Sequence, residues 1–146
     1  MKHTLFSLSL LALVGACSKI EKNQKELTKI STDGTWIVSS YIDDGDDETL
    51  DFATFRLNFI EDGVLNATDL LSSSSTPFTG SWSITDSNSN DDSIDDLSYI
   101  INFNVGNKLD DLADDWDIIS YTETEIKLMD VSGGGGGTDY LTLTKQ

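Results

Sequence analysis

The sequence predicts an all-β domain: an eight-stranded antiparallel up-and-down barrel, with a flattened sandwich as the alternative. Three observations predict it. Short runs of alternating apolar and polar residues recur between residues 35 and 144, the two-residue period of a strand with one buried face. Most runs are joined by short turn-type segments such as Glu61-Asp62-Gly63, which suit hairpins between consecutive strands. There is no alternation of strand and long helix, which excludes an α/β layout. A sheet with one apolar face per strand must fold over itself, and closing it also removes its exposed edges.

The elements follow in order. Strand one is 35–43, with Trp36, Val38 and Ile42 on one side and Ile37 and Tyr41 on the other. An acidic turn at 43–48 centres on Gly45. Strand two, 54–60, sets Phe55, Leu57 and Phe59 on one face, and Asp62-Gly63 supplies the positive φ of a tight turn. Strand three, 64–69, returns with Leu65 and Ala67. A serine-rich loop over 70–77 holds the only proline, and strand four, 78–85, points Trp82 and Ile84 inward. After a polar loop at 86–96 comes the most apolar strand, 97–105, with Tyr99, Ile101, Phe103 and Val105 aligned. Leu109, Leu112 and Ala113 have the spacing of a single helical turn. Strands six to eight are 116–121, 125–131 and 139–144, with Ile126, Leu128, Leu141 and Leu143 on their apolar faces. A glycine run at 133–137 links the last two.

The N-terminus reads differently. Met1-Lys2-His3 is a short basic start, 4–14 is mostly apolar, and Gly15-Ala16 are small. That is the three-part build of a secretory signal, too short for a stable membrane anchor. Val14-Gly15-Ala16-Cys17 resembles the lipobox of bacterial lipoproteins. The resemblance implies cleavage before Cys17 and diacylglycerol on its thiol, with palmitate among the acyl chains. At about 0.8 kcal/mol per buried methylene, three such chains hold tightly to a membrane. The expected organisation is a lipoprotein signal peptide at 1–16, a lipidated polar tether at 17–32 and the barrel domain at 33–146. Lys19, Lys22, Lys25 and Lys29 make the tether basic, so it is suited to lie on an anionic membrane, although an ordinary charged linker explains them equally well. Leu27 and Ile30 give only a weak helical face. Ser18 after the cysteine, where an inner-membrane retention signal has Asp, favours the outer membrane of the envelope over the inner.

Composition excludes several chemistries. Nine Lys and Arg stand against 26 Asp and Glu, a net charge of −17, which repels nucleic acid. The single histidine is His3 and the single cysteine is Cys17, so the mature chain lacks the parts for Ser-His-Asp or Cys-His catalysis and for His- or Cys-ligated zinc or copper. A non-enzyme without cofactor is expected.

Gly34-Thr35-Trp36 and Gly80-Ser81-Trp82 are two Gly-x-Trp strand openings. With the Phe55 to Gly63 hairpin, Trp116 to Ile118 and the closing Leu141-Thr142-Leu143, they resemble small bacterial lipocalin-like lipoproteins across 33–146. The resemblance implies a barrel whose Trp36 closes one end and whose centre holds a small hydrophobic molecule. The chain departs from true lipocalins in lacking disulfides and a C-terminal Arg to stack on Trp36, and Lys145 stands as the substitute. The expected function is therefore a lipid-anchored binding barrel. The alternative is a structural or protein-interaction lipoprotein with a solid barrel.

Candidate ligand-binding or barrel-end residues are Trp36, Trp82, Trp116, Tyr99 and Phe103. Core packing is the favoured reading for the tryptophans, since large aromatics bury readily; Trp116, after an acidic loop, has more room for partial exposure than Trp36 and Trp82. Asp86, Asn88, Asn90 and Asp92 imitate the start of a calcium loop. Asp91 stands where the turn glycine belongs and Leu97 where the bidentate Glu belongs, so it is no EF-hand. A second acidic cluster spans 43–48. Its plainer reading, like that of the first, is a solvated turn. The 133–137 glycines lack the Lys-Ser/Thr of a phosphate loop.

Overall fold

The computed structural model describes residues 14–86, 97–131 and 137–146, with side chains from Lys19 onward. Asn88, Asn90 and Asp92 of the calcium candidate and most of the glycine run lie outside the described residues. Helix α1 spans Val14–Thr32. The strands are β1 Trp36–Asp43, β2 Asp46–Asp47, β3 Phe55–Phe59, β4 Val64–Asp69, β5 Phe78–Asp86, β6 Leu97–Asn102, β7 Asp114–Tyr121, β8 Glu125–Val131 and β9 Thr138–Lys145. Single turns of 3-10 helix occupy Thr49–Phe52 and Lys108–Leu112.

Neighbouring strands pair antiparallel in the order β2-β1-β3-β4-β5-β6-β7-β8-β9, and β1 also pairs with β9. That last pairing closes the sheet. The result is the expected eight-stranded up-and-down barrel rather than a sandwich, with β2 as an extra two-residue strand. The acidic turn at 43–48 is a small hairpin of its own: Asp43 pairs with Asp46. Its two loop residues, Asp44 at φ 46° and Gly45 at φ 91°, both have the positive φ of a two-residue hairpin turn.

Strict alternation fails where the ladder slips. Between Val38 and Ser40 the β1–β9 register shifts by a residue, so Tyr41 turns into the core and Ile42 toward the rim. The expected pairing of Trp36, Val38 and Ile42 on one face is corrected by this bulge, which reverses inside and outside beyond it. A similar shift between Ile118 and Ser120 leaves Ile119 outside.

The largest departure from expectation is at 17–32. These residues are helical, and from Ile20 onward the helix belongs to the folded domain, not to a free tether. Leu27 and Ser31 are fully buried and Ile20 and Ile30 pack against the core. Ile20, Gln24, Leu27 and Ser31 fall on one helical face by their three- and four-residue spacing. Asp33-Gly34 ends the helix, with Gly34 at φ 99°, a conformation that suits glycine at a helix end. Gln24 Nε2 donates to the Ile84 carbonyl at 2.6 Å, and hollows on both flanks of the helix separate it from the β3–β4 and β7–β8 turns. The helix thus lies across the barrel end where β1 begins and β9 finishes.

The opposite end is closed by the two 3-10 turns. Phe52, Leu109 and Leu112 are fully buried there. Tyr41 packs edge-on to Phe52 at 5.1 Å and to Trp116 at 6.4 Å.

Candidate functional site

The interior was the expected ligand site, so its filling decides what the barrel can do. Leu57, Leu65, Ala67, Ile101, Ile126, Leu128, Leu141 and Leu143 have no accessible surface, which leaves no space for a water molecule beside them. Phe59, Trp82 and Tyr99 pack as one aromatic cluster, with centroids 5.2, 5.8 and 5.9 Å apart. The candidate residues are all inside: exposure is 0% for Trp36 and Tyr99, 1% for Trp116, 5% for Trp82 and 6% for Phe103. Trp116 is therefore core like the other two, and its acidic neighbours do not bring it to the surface. Asp114 and Asp115 face out at the start of β7 while Trp116 turns in.

Each indole N–H has a backbone partner. Trp36 Nε1 donates to the Ser31 carbonyl at 2.9 Å, Trp82 Nε1 to that of Ile60 at 2.9 Å and Trp116 Nε1 to that of Leu112 at 3.0 Å. These bonds satisfy polar groups that burial would otherwise penalise, and they leave no indole donor for a ligand. The two Gly-x-Trp motifs look alike but need glycine for different reasons. Gly34 needs the positive φ. At Gly80 a Cβ would overlap the Asn102 carbonyl and the Phe103 ring, a close approach that seats Phe103 at the far end.

Two surface regions remain. Around α1, Lys145 Nζ sits 5.2 Å from the centre of the Trp36 ring and 3.1 Å from Asp33, so Lys145 takes the stacking place assigned to it from the sequence. Such a cation–π contact contributes about 0.5–2 kcal/mol. The Tyr99 hydroxyl donates to Ser31 Oγ at 2.9 Å. Burial pushes the Tyr99 phenol far above its ordinary pKa, and the Ser31 bond only partly opposes it. A hollow of about 460 Å³ opens between α1 and the β7–β8 turn, lined by Glu26, Lys29, Ile30, Asp33, Glu123, Thr124 and Lys145. A second, of about 270 Å³, lies on the other flank against Thr28, Glu61 and Trp82. Both lie outside the barrel.

The opposite end is acidic. Lys108 Nζ is 3.2 Å from each of Glu48, Asp51 and Asp111, and bonds to Asp111, Asp51 and Glu48 hold its ammonium well above the usual lysine range. Hydrogen bonding from Thr49, from its side chain first and then from its N–H at 3.0 Å, draws the Asp47 carboxyl below the ordinary range. Asp43 is raised, by removal from water first and then by the charges of Asp139, Glu48, Asp111 and Asp44. Of the 43–48 carboxylates, Glu48 thus serves Lys108 and Asp47 the Thr49 N–H, and no group of metal-ligating side chains occurs among the described residues. Leu50 and Leu71 are exposed on this rim, as is Leu70, whose N–H bonds to the Thr54 carbonyl at 3.0 Å.

Sequence reasoning missed Gln24, Ser31 and Lys108. The first two are polar residues on an inward helix face, and Lys108 gathers acids from separate segments. No family profile matches the chain, and no curated protein does. Among the described residues no helix is long and apolar enough to cross a membrane.

Proposed function

We propose that this chain is a lipid-anchored envelope lipoprotein whose lipocalin-like barrel is a solid platform for a protein partner. The observation that carries the reading is the filled interior: the inward side chains pack against one another, α1 covers one end and the 3-10 turns cover the other. Among the described residues the inward side chains leave no accessible surface for the expected small hydrophobic ligand, which supports the solid-barrel reading over the ligand-binding one. The outer surface is then what the molecule offers, and the acidic end with Leu50, Leu70 and Leu71 suits a basic and apolar protein surface. The lipobox-like Val14 to Cys17 stretch supports the anchor, and Ser18 supports the outer membrane.

Two measurements test this. Protein extracted from its own membrane should have Cys17 as its first residue and carry the mass of acyl chains, and C17S should lose both. A lipophilic, environment-sensitive fluorophore titrated into the folded protein should show no saturable one-to-one uptake. Saturable uptake weakened by W82A or F103A would restore the small-molecule reading.

A further inference from the structure

The four lysines of α1 occupy one exposed face. Lys19, Lys22, Lys25 and Lys29 are all exposed, and at 3.6 residues per turn they fall within a sector of roughly 120°. The docked face of Ile20, Gln24, Leu27 and Ser31 lies about 180° away by the same count. None of the four lysines forms an ion pair among the described residues, whereas Lys108, Lys127 and Lys145 all do. Glu21 and Glu26 share the exposed surface of the helix and leave it net positive. Because α1 is docked across the barrel end, Lys19, Lys22 and Lys25 lie on its side away from the barrel, while Lys29 borders the hollow beside the β7–β8 turn, and Asp33, Glu61, Asp62 and Glu123 flank the helix.

We propose that α1 is a rigid membrane-facing plate: its lysine face rests on anionic lipid headgroups and stands the barrel on the bilayer with the acidic end outward. This rests on the reading of Cys17 as the anchor. Cys17 lies at the start of the same helix, only three residues before the docked Ile20, so little free chain separates lipid from barrel. Charge decides the orientation. The chain as a whole carries −17 and would be repelled by an anionic surface. The acidic end, however, is separated from α1 by the length of β1, eight residues. At ~3.3 Å per residue and with the usual strand tilt, that is about 20 Å of height. The Debye length is ~8 Å at physiological ionic strength, so the far acids are screened while the helix lysines meet the headgroups directly. Each lysine near such a surface favours binding about fivefold.

The test uses the acylated protein as cells make it, reconstituted on phosphatidylcholine vesicles with or without phosphatidylglycerol. An amine-reactive reagent is applied and each lysine is read by peptide mass spectrometry. On anionic vesicles, labelling of Lys19, Lys22, Lys25 and Lys29 should fall several-fold relative to Lys108 and Lys127. Molar salt should restore it, because screening then acts within ~3 Å. K22Q/K25Q, at two exposed positions that leave the fold intact, should restore labelling of Lys19 and Lys29. Equal labelling of the helix lysines on the two kinds of vesicle overturns the orientation while leaving the anchor standing. Protein that fails to sediment with phosphatidylcholine vesicles overturns the anchor, and the orientation with it.

Discussion

The two ends of the barrel are closed by different means. At the Trp36 end the cover is a separate element, α1, held by Leu27 and by polar bonds from Gln24, Trp36 and Tyr99. At the other end the cover is built from the loops themselves. The Thr49–Phe52 and Lys108–Leu112 turns fold inward, and Lys108 joins them through three carboxylates. The helix-covered end mixes the α1 lysines with Asp33, Glu61, Asp62 and Glu123, whereas the other end bears a rim of acids around Lys108. An added helix can face outward with its own charge pattern, whereas inturned loops leave their turn residues on the rim. On the proposed reading the difference also separates roles: one end would meet a headgroup surface and the other a partner in solution.

The comparison breaks first at Trp36. W36A removes a fully buried indole, its bond to Ser31 and the platform under Lys145, and should cost about 3–5 kcal/mol in urea unfolding. A loss below 1 kcal/mol would mean that the helix-covered end is not part of the cooperative core. Next come L27A and L112A, one buried leucine from each cover, each expected to cost about 2–5 kcal/mol. If α1 were an appendage, L27A would lose helical circular dichroism with no change in the unfolding midpoint. Equal midpoint shifts for the two variants would show that both covers unfold with the barrel.

The two covers also differ in how far the sequence reveals them. The strands are legible because alternation in Phe55-Arg56-Leu57-Asn58-Phe59 or Ile126-Lys127-Leu128 records a buried face directly. Lys145 was legible because a cation near the last strand had a defined place over Trp36. The helix cover was not, because two of its inward positions are Gln24 and Ser31. Their partners include Ile84 and Tyr99, 60 and 68 residues away, and no local period displays a bond of that reach. Alternation puts Tyr41 on the face opposite Trp36, but a bulge set by the β9 register reverses parity after Val38 and turns it inward. The Lys108 cluster was hidden for a similar reason: Glu48, Asp51 and Asp111 converge only once both loops have folded. Acidic neighbours do not expose Trp116, since charge beside an aromatic in a strand marks the opposite face.

A smaller effect sharpens the polar side of the helix cover. Y99F deletes the hydroxyl that meets Ser31 Oγ and leaves the ring in place. It should cost about 1 kcal/mol, the usual net worth of a hydrogen bond. Because the bond ties α1 to β6, Y99F should also speed amide exchange in α1 more than in β8. Uniform acceleration in both would assign the loss to the barrel as a whole.

The smallest expected effect belongs to the acidic rim and has the opposite sign. Asp43 is held above the ordinary carboxylate pKa, first by burial and then by Asp139, Glu48, Asp111 and Asp44. The folded state therefore keeps a proton on Asp43 at pH values where the unfolded chain has already lost it. Stability from this group falls as pH rises from the ordinary carboxylate value through the raised one, and at neutral pH ionised Asp43 opposes folding. D43N cannot ionise, so it should be slightly more stable than the parent at pH 7 by urea midpoint. The gap should close as pH drops below the ordinary carboxylate range, and salt at pH 7 should narrow it by screening the neighbouring charges. A variant less stable than the parent at neutral pH would mean that the Asp43 carboxylate is held by the rim rather than repelled by it, and the contrast between a helix cover tied by polar bonds and an end under charge repulsion would fail there.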